Sequence, residues 1–365
     1  MAFSRLAACS RIGLVFIVLL WQTPASVGLP SASAQGASSS SRVDWKPVPG
    51  EEHFEIALSQ DWVLPAGSRI DRFRFSAIRF HLGYFQLKLL GVADFAKGHV
   101  EDIARPQNVD PSLSSLLELG LAAVFKAKPF QNLVAVVPAG FPASEKKPIN
   151  LGLLKTDGVT QSQLLAEGPS AVLCLDSPKF QGKGYQFQLP VFYRTEDERQ
   201  QNLIRQCRDA VQVGPRILED PTSLSKDSAQ IQQYARPKDI TPNPWPVYLG
   251  VSQKVAGGRS AYSRTVILLD DPGREDRKEG DGKSKDLARN AYIVVTDTPV
   301  TFVELQSMLT SEGFYANDRY APYWAVNLVG GDYAGMIIGI PDQDKPTSVG
   351  NTTITQASVL AILRK

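Results

Sequence analysis

The chain has 365 residues, 43% of them hydrophobic, enough to bury one large core or two modest ones. Its 39 basic and 37 acidic side chains leave a formal net charge of +2, so there is no basic excess to neutralise phosphates and nucleic-acid binding has no electrostatic support. The three histidines show no ligand spacing, which argues against a histidine-built zinc site; no metal and no cofactor are expected.

The first 34 residues read as a secretory signal peptide. Arg5 and Arg11 form a basic start, Ile12 to Trp21 an apolar stretch, and Ala32-Ser33-Ala34 a small-residue cleavage site. The apolar stretch is shorter than the ~20 residues that span a bilayer, so no transmembrane segment is expected in the mature chain. Removing the leader takes away both arginines and no acids, which brings the formal charge to zero. It also removes Cys9 and leaves Cys174 and Cys207, which can pair in an oxidising compartment or stay separate buried thiols. The expected location is exported, periplasmic or extracellular.

Residues 35–42 form a Ser-rich linker, and one domain is expected over 43–365. In "FRFSAIRFHLGYFQLKLLGV", Phe73 and Phe75, then Ile78, Phe80 and Leu82, then Phe85, Leu87 and Leu89 recur at spacing two, which predicts adjacent strands around a turn at Gly83. A helix is predicted from a cap at Asp110, with Leu113, Leu116, Leu117, Leu121 and Val124 as its stripe. "NLVAVVPAGF" reads as a buried strand, Asp157-Gly158 as a hairpin turn, and "AVLCLDSPKF" and "GYQFQLPVFY" as further strands. "DERQQNLIRQCRDA" is a polar helix or loop, and "VQVGPRILED" is strand, Gly-Pro, strand. Residues 221–245 are loop-rich, and 270–286 carry mixed charge without an apolar residue, which predicts a mobile surface loop. Further on, Thr301 and Glu304 form a capping box for a helix with Phe302, Leu305, Met308 and Leu309 inward, ended by Gly313. The whole predicts an α+β fold of mixed, largely antiparallel sheets with packed helices.

Three strands run into glycine beside a polar group: "VAVVPAGFP", "AVQVGPRIL" and "WAVNLVGGDYAGM". A fourth, "YSRTVILLD", has an arginine at its start. Glycines at strand ends let backbone N–H groups approach a ligand, and an arginine can clamp a phosphate through two parallel bonds. Each signal is also what an ordinary turn or surface strand shows.

In order, "AGFP" (139–142), "LGLLKTDG" (151–158), "AVQVGPRIL" (210–218), "SRTVILLDD" (263–271), "VTFVELQSML" (300–309) and "AVNLVGGDYAGM" (325–336) resemble the segments of the phosphodiester glycosidase domain family. The resemblance runs over about residues 43–340. It implies an exported hydrolase acting on a sugar phosphodiester of an envelope polymer or glycoconjugate. Arg264 would hold the phosphate and Asp332 act as base. Gln212, Gly214, Asn327, Gly330, Gly331 and Gly140 would line the substrate. The departures fall at the chemistry: Pro138 replaces an asparagine, Pro142 a phenylalanine and Val329 the expected aspartate, while Asp332 and Tyr333 replace a glycine and a serine. Cleaving a glycosidic bond needs a carboxylate, which Val329 does not supply. The alternative expectation is therefore a catalytically inactive carbohydrate-, phosphate- or partner-binding protein on the same scaffold.

Overall fold

A computed structural model describes residues 41–91, 94, 120–127, 130–144, 147–165, 169, 171–176, 190–195, 197–218, 261–269, 290–309, 311–315, 324–341, 343, 345–354 and 356–365. They all fall within one compact unit, Ser40–Lys365. The leader, nearly all of the Ser-rich linker, the first part of the helix expected from Asp110, the loop-rich 221–245 and the charged 270–286 lie outside the described residues.

In chain order the strands are β1 (Lys46–Val48), β2 (Glu51–Val63), β3 (Arg72–His81), β4 (Phe85–Gly91), β5 (Leu133–Pro138), β6 (Pro142–Ser144), β7 (Lys147–Asn150), β8 (Leu154–Thr156), β9 (Val159–Ser162) and β10 (Ala171–Cys174). They continue with β11 (Val191–Arg194), β12 (Ala210–Val213), β13 (Arg216–Leu218), β14 (Arg264–Leu269), β15 (Asn290–Thr296), β16 (Trp324–Gly330), β17 (Gly335–Ile338), β18 (Thr347–Gly350) and β19 (Ser358–Arg364). Among the described residues, short helices are interspersed: α1 (Leu121–Ala127), α2 (Glu198–Gln206), α3 (Phe302–Leu309) and α4 (Glu312–Tyr315).

A seven-stranded sheet runs β1-β2-β3-β15-β14-β16-β13. Two five-stranded sheets, β11-β10-β12-β8-β9 and β18-β17-β5-β19-β4, pack with it, and β6 pairs with β7. Every strand pairing among the described residues is antiparallel. The fold is thus β-rich, which corrects the expectation of an α+β fold with mixed sheets and packed helices. The cause lies in the central strands. β14 is buried at all six positions and β15 at six of seven, so sheet-on-sheet packing fills most of the core. Among the described residues, helices cover only parts of the outer faces.

The two faces of the seven-stranded sheet carry different cores. Ile78, Phe80, Ile267, Ile293, Val326 and Leu328 face the other sheets. Phe75, Val266, Tyr292 and Val294 face α3 and α4, where Leu305, Met308, Leu309 and Phe314 cover them. Burial on both faces explains why the spacing-two run in β3 changes parity between Phe75 and Ile78. It also corrects the expected pairing around Gly83. β3 pairs with β2 and β15, while β4 pairs with β19 in a different sheet, so the turn is a corner between sheets.

The capping box closes as a reciprocal pair: Thr301 N–H donates to Glu304 Oε2 at 2.8 Å and Glu304 N–H to Thr301 Oγ1 at 3.2 Å. Gly313 does not end α3, as the sequence suggested; it lies inside α4, where a Cβ would stand 2.0 Å from Ser41 O. At the Asp157-Gly158 turn both residues have positive φ, 48° and 83°, which fits the tight hairpin joining β8 to β9. α2 starts on Asp197, whose carboxylate accepts from the N–H groups of Arg199 and Gln200. The helix leads into Cys207, which is joined to Cys174 of β10 with Cα atoms 5.9 Å apart.

Candidate functional site

The glycine segments singled out in the sequence are corners where the chain changes sheet. Gly214-Pro215 carries it from β12 to β13, and Gly331–Tyr333, a single 3-10 turn, carries it from β16 to β17. These corners assemble in space. Gly214 N–H donates to Asn327 O at 2.9 Å, Asn327 N–H to Pro215 O at 3.1 Å, and Asn327 Nδ2 to Gly214 O at 3.1 Å. Gly140 packs on Asn150 and on Val211 of β12, and Phe141 beside it touches the cluster of Val329 and Ala334.

Most of the polar groups expected to hold a ligand are engaged in holding these corners. Gln212 is fully buried. Its Oε1 accepts from the N–H groups of Leu153 and Leu165, both at 3.0 Å, and its Nε2 donates to Leu165 O at 2.7 Å and Pro169 O at 2.8 Å. All its hydrogen-bonding capacity is thereby used on the main chain. Gly152 allows this, since a Cβ there would lie 2.3 Å from Gln212 Oε1. Gly331 N–H donates to Ser263 O at 2.9 Å.

Arg264 and position 329 are separated by the sheet. The β14–β16 register sets Arg264 opposite Gly330, Thr265 opposite Val329 and Val266 opposite Asn327, with an irregularity between Thr265 and Val266. That bulge doubles Leu328 and Val329 onto one face and re-aims the residues around them. Asn327 and Gly330 therefore share the face of Arg264 and Val266, covered by α3. Val329 points to the other face, fully buried with Phe141 and Ala334 and packed by Leu151 and Tyr333.

The Arg264 guanidinium is buried. Its carbon lies 3.9 Å from the Phe302 ring centroid and 5.2 Å from that of Tyr262, and Nη1 lies 3.0 Å from where a Gly330 Cβ would be. Burial pulls its pKa down to about 9, with Tyr262 opposing. The main-chain N–H donates to Thr296 Oγ1 at 2.9 Å. Asp332 sits on the 3-10 turn and is exposed to solvent. The structure thus joins Gly214 to Asn327 and Arg264 to Gly330, and leaves Asp332 outside the buried cluster.

Sequence reasoning missed the polar chain behind Gly140. Asn150 donates through Nδ2 to Leu153 O at 3.1 Å and Gly152 O at 3.3 Å, while Ser358 donates to Asn150 Oδ1 at 3.4 Å and to Ala139 O. Nothing in the letters around Asn150 announces it, because its partners come from β19 and the turn before β8. Tyr262 was more legible: it lies two residues before Arg264 and shares its face by strand parity.

No protein-family model and no curated protein sequence matches the chain. Among solved structures it is similar to the catalytic domain of zebrafish N-acetylglucosamine-1-phosphodiester alpha-N-acetylglucosaminidase, auto-inhibited by its pro-peptide. That likeness has 11% identity over 89% of this chain and 88% of that one, with a TM-score of 0.47. It is also similar to a candidate exported protein from Burkholderia pseudomallei, at 12% identity over 82% of this chain and 75% of that one, TM-score 0.41. At these scores neither likeness decides the activity or the location of this chain.

Proposed function

We propose that this chain is an exported, phosphodiester-glycosidase-like protein that binds a glycan or sugar-phosphate ligand without hydrolysing it. The observation that supports this reading best is Val329. The position that the segment resemblance assigns to an acid is occupied by a fully buried valine packed on Phe141 and Ala334. Asp332 does not substitute for it, being exposed on the next turn, and catalytic placement tolerates little displacement. The Gln212 amide and the Gly331 N–H, assigned to substrate by the same resemblance, hydrogen-bond the protein's own main chain. Export rests on the leader read in residues 1–34. Among the described residues no helix is long and apolar enough to cross a membrane.

The test incubates the purified protein with methyl N-acetylglucosamine-1-phosphate and follows both binding, by calorimetry, and free sugar. Saturable heat without sugar release is expected. Turnover that disappears in Asp332→Asn would overturn the non-catalytic reading and restore a hydrolase with a displaced base.

A further inference from the structure

Away from the glycine corners, Trp45 stands half-buried at the margin of the face covered by α3 and α4. The segment before β1 is fixed there twice: Val43 N–H donates to Gly313 O and Trp45 Nε1–H to Phe314 O, both at 2.9 Å. The indole is further oriented edge-to-face against Tyr292 and Phe314, with centroids at 6.0 and 5.8 Å. Beside it, Glu55 of β2 and Arg79 of β3 are direct cross-strand partners. Arg79 reaches Glu55 Oε2 through Nε and Nη2, and its guanidinium carbon lies 5.1 Å from the Trp45 ring centroid. With Arg42 and Asp44 these side chains line an open groove of about 380 Å³.

The lining itself carries two cations and two anions around one indole, and Asp44 is also paired with Lys46 beside it, Nζ to Oδ2 at 3.5 Å. An anionic ligand would meet Asp44 and Glu55. An apolar ligand would strip water from four charged groups and return no hydrogen bonds. A neutral polyol matches both kinds of lining. Its hydroxyls donate to the carboxylates and accept from the guanidinium groups, while its C–H face packs on the indole. The ladder between β2 and β3 already holds the Arg79–Glu55 pair in place, so little side-chain ordering is left for binding. We infer that the Trp45 groove is a binding site for a neutral saccharide. This does not depend on the reading of the glycine corners, and a protein inert towards sugar phosphodiesters still shows it.

The test follows the Trp45 indole N–H resonance of isotope-labelled protein, assigned with Trp45→Phe. Methyl glycosides of glucose, mannose and N-acetylglucosamine are added in turn to about 50 mM, well above the roughly millimolar Kd that suits a ligand of this size. At least one glycoside is expected to shift the resonance saturably. Asp44→Asn and Glu55→Gln should each weaken that binding about fivefold or more, and about 0.5 M salt should change it less than about twofold, because the ligand is uncharged. Asp44 is exposed, so its variant keeps the test valid if Glu55→Gln disturbs folding. Three results would overturn the inference: no shift with any of the three glycosides, binding unchanged in both carboxamide variants, or glucose 1-phosphate binding more tightly than methyl glucoside.

Discussion

Replacing Val329 with aspartate puts the expected acid back where the segment resemblance assigns it, and the structure gives a specific cost. Removing a fully buried valine side chain forfeits about 1.5–3 kcal/mol of apolar burial. A neutral carboxyl left among Phe141, Ala334 and Leu151 adds about 1–3 kcal/mol for an unsatisfied polar group. The ionised form costs more, since burial of this kind raises a carboxyl pKa by about 3 units or more. Below about pH 4 the new side chain is protonated in both folded and unfolded chains, and only the neutral cost applies. As pH rises towards the folded-state pKa, the unfolded chain ionises while the folded chain keeps its proton. Stability then falls by about 1.4 kcal/mol per pH unit relative to Val329→Asn. Urea unfolding of Val329→Asp and Val329→Asn, followed by tryptophan fluorescence between about pH 4 and about pH 7, measures this slope. A difference between the two variants that stays flat with pH would refute the reasoning. Position 329 would then be open to water or paired with a cation, as a catalytic carboxylate requires.

Reducing the Cys174–Cys207 bridge, which spans 33 residues, is expected to lower unfolding stability by roughly 3–4 kcal/mol; an unchanged urea midpoint after reduction would count against this. Thr301→Ala removes one half of the capping box at α3 and should cost about 1 kcal/mol, read as a lower urea midpoint; an unchanged midpoint would count against the box. Burial, and then His53 and Lys365, hold the His81 pKa below its ordinary value. Its contribution to stability is therefore complete above about pH 6.5 and is lost as pH falls from there towards the lower folded-state value. Thermal midpoints should drop across that window, and a His81→Gln protein whose midpoint drops just as steeply would remove His81 as the cause.

The strands were legible where their letters carried local information. The Asp157-Gly158 turn and the Thr301–Glu304 box are set by neighbours within four residues, and both form as their sequence implies. The misreadings were non-local. The apolar runs on either side of Gly83 have the period of a hairpin, yet β3 and β4 belong to different sheets because β15 and β19 take their edges. The fold class went astray for the same reason: strands such as β14, buried at every position, lose the alternation that marks a sheet, and short helical stripes then weigh too much. At the candidate site the residue types were visible but their directions were not. Gln212 reads as a free amide until the turn containing Gly152 and the chain at Leu165 and Pro169 close around it.

The bulge opposite Thr265 and Val266 decides how the candidate site can be understood. In an uninterrupted strand Asn327 and Val329 would lie on one face, and an acid introduced at 329 would share that face with Arg264. One extra residue reverses this: Arg264 lies beneath Phe302 and Tyr262, and Val329 lies behind the sheet with Phe141. A phosphate held by the Arg264 guanidinium in this arrangement would be out of reach of chemistry at 329, whatever residue stood there. On the proposed function, an acid placed at 329 alone is therefore not expected to give sugar release from a sugar phosphodiester. The backbone register of β14 and β16, on the proposed function, separates position 329 from Arg264 as firmly as the single letter at 329 does.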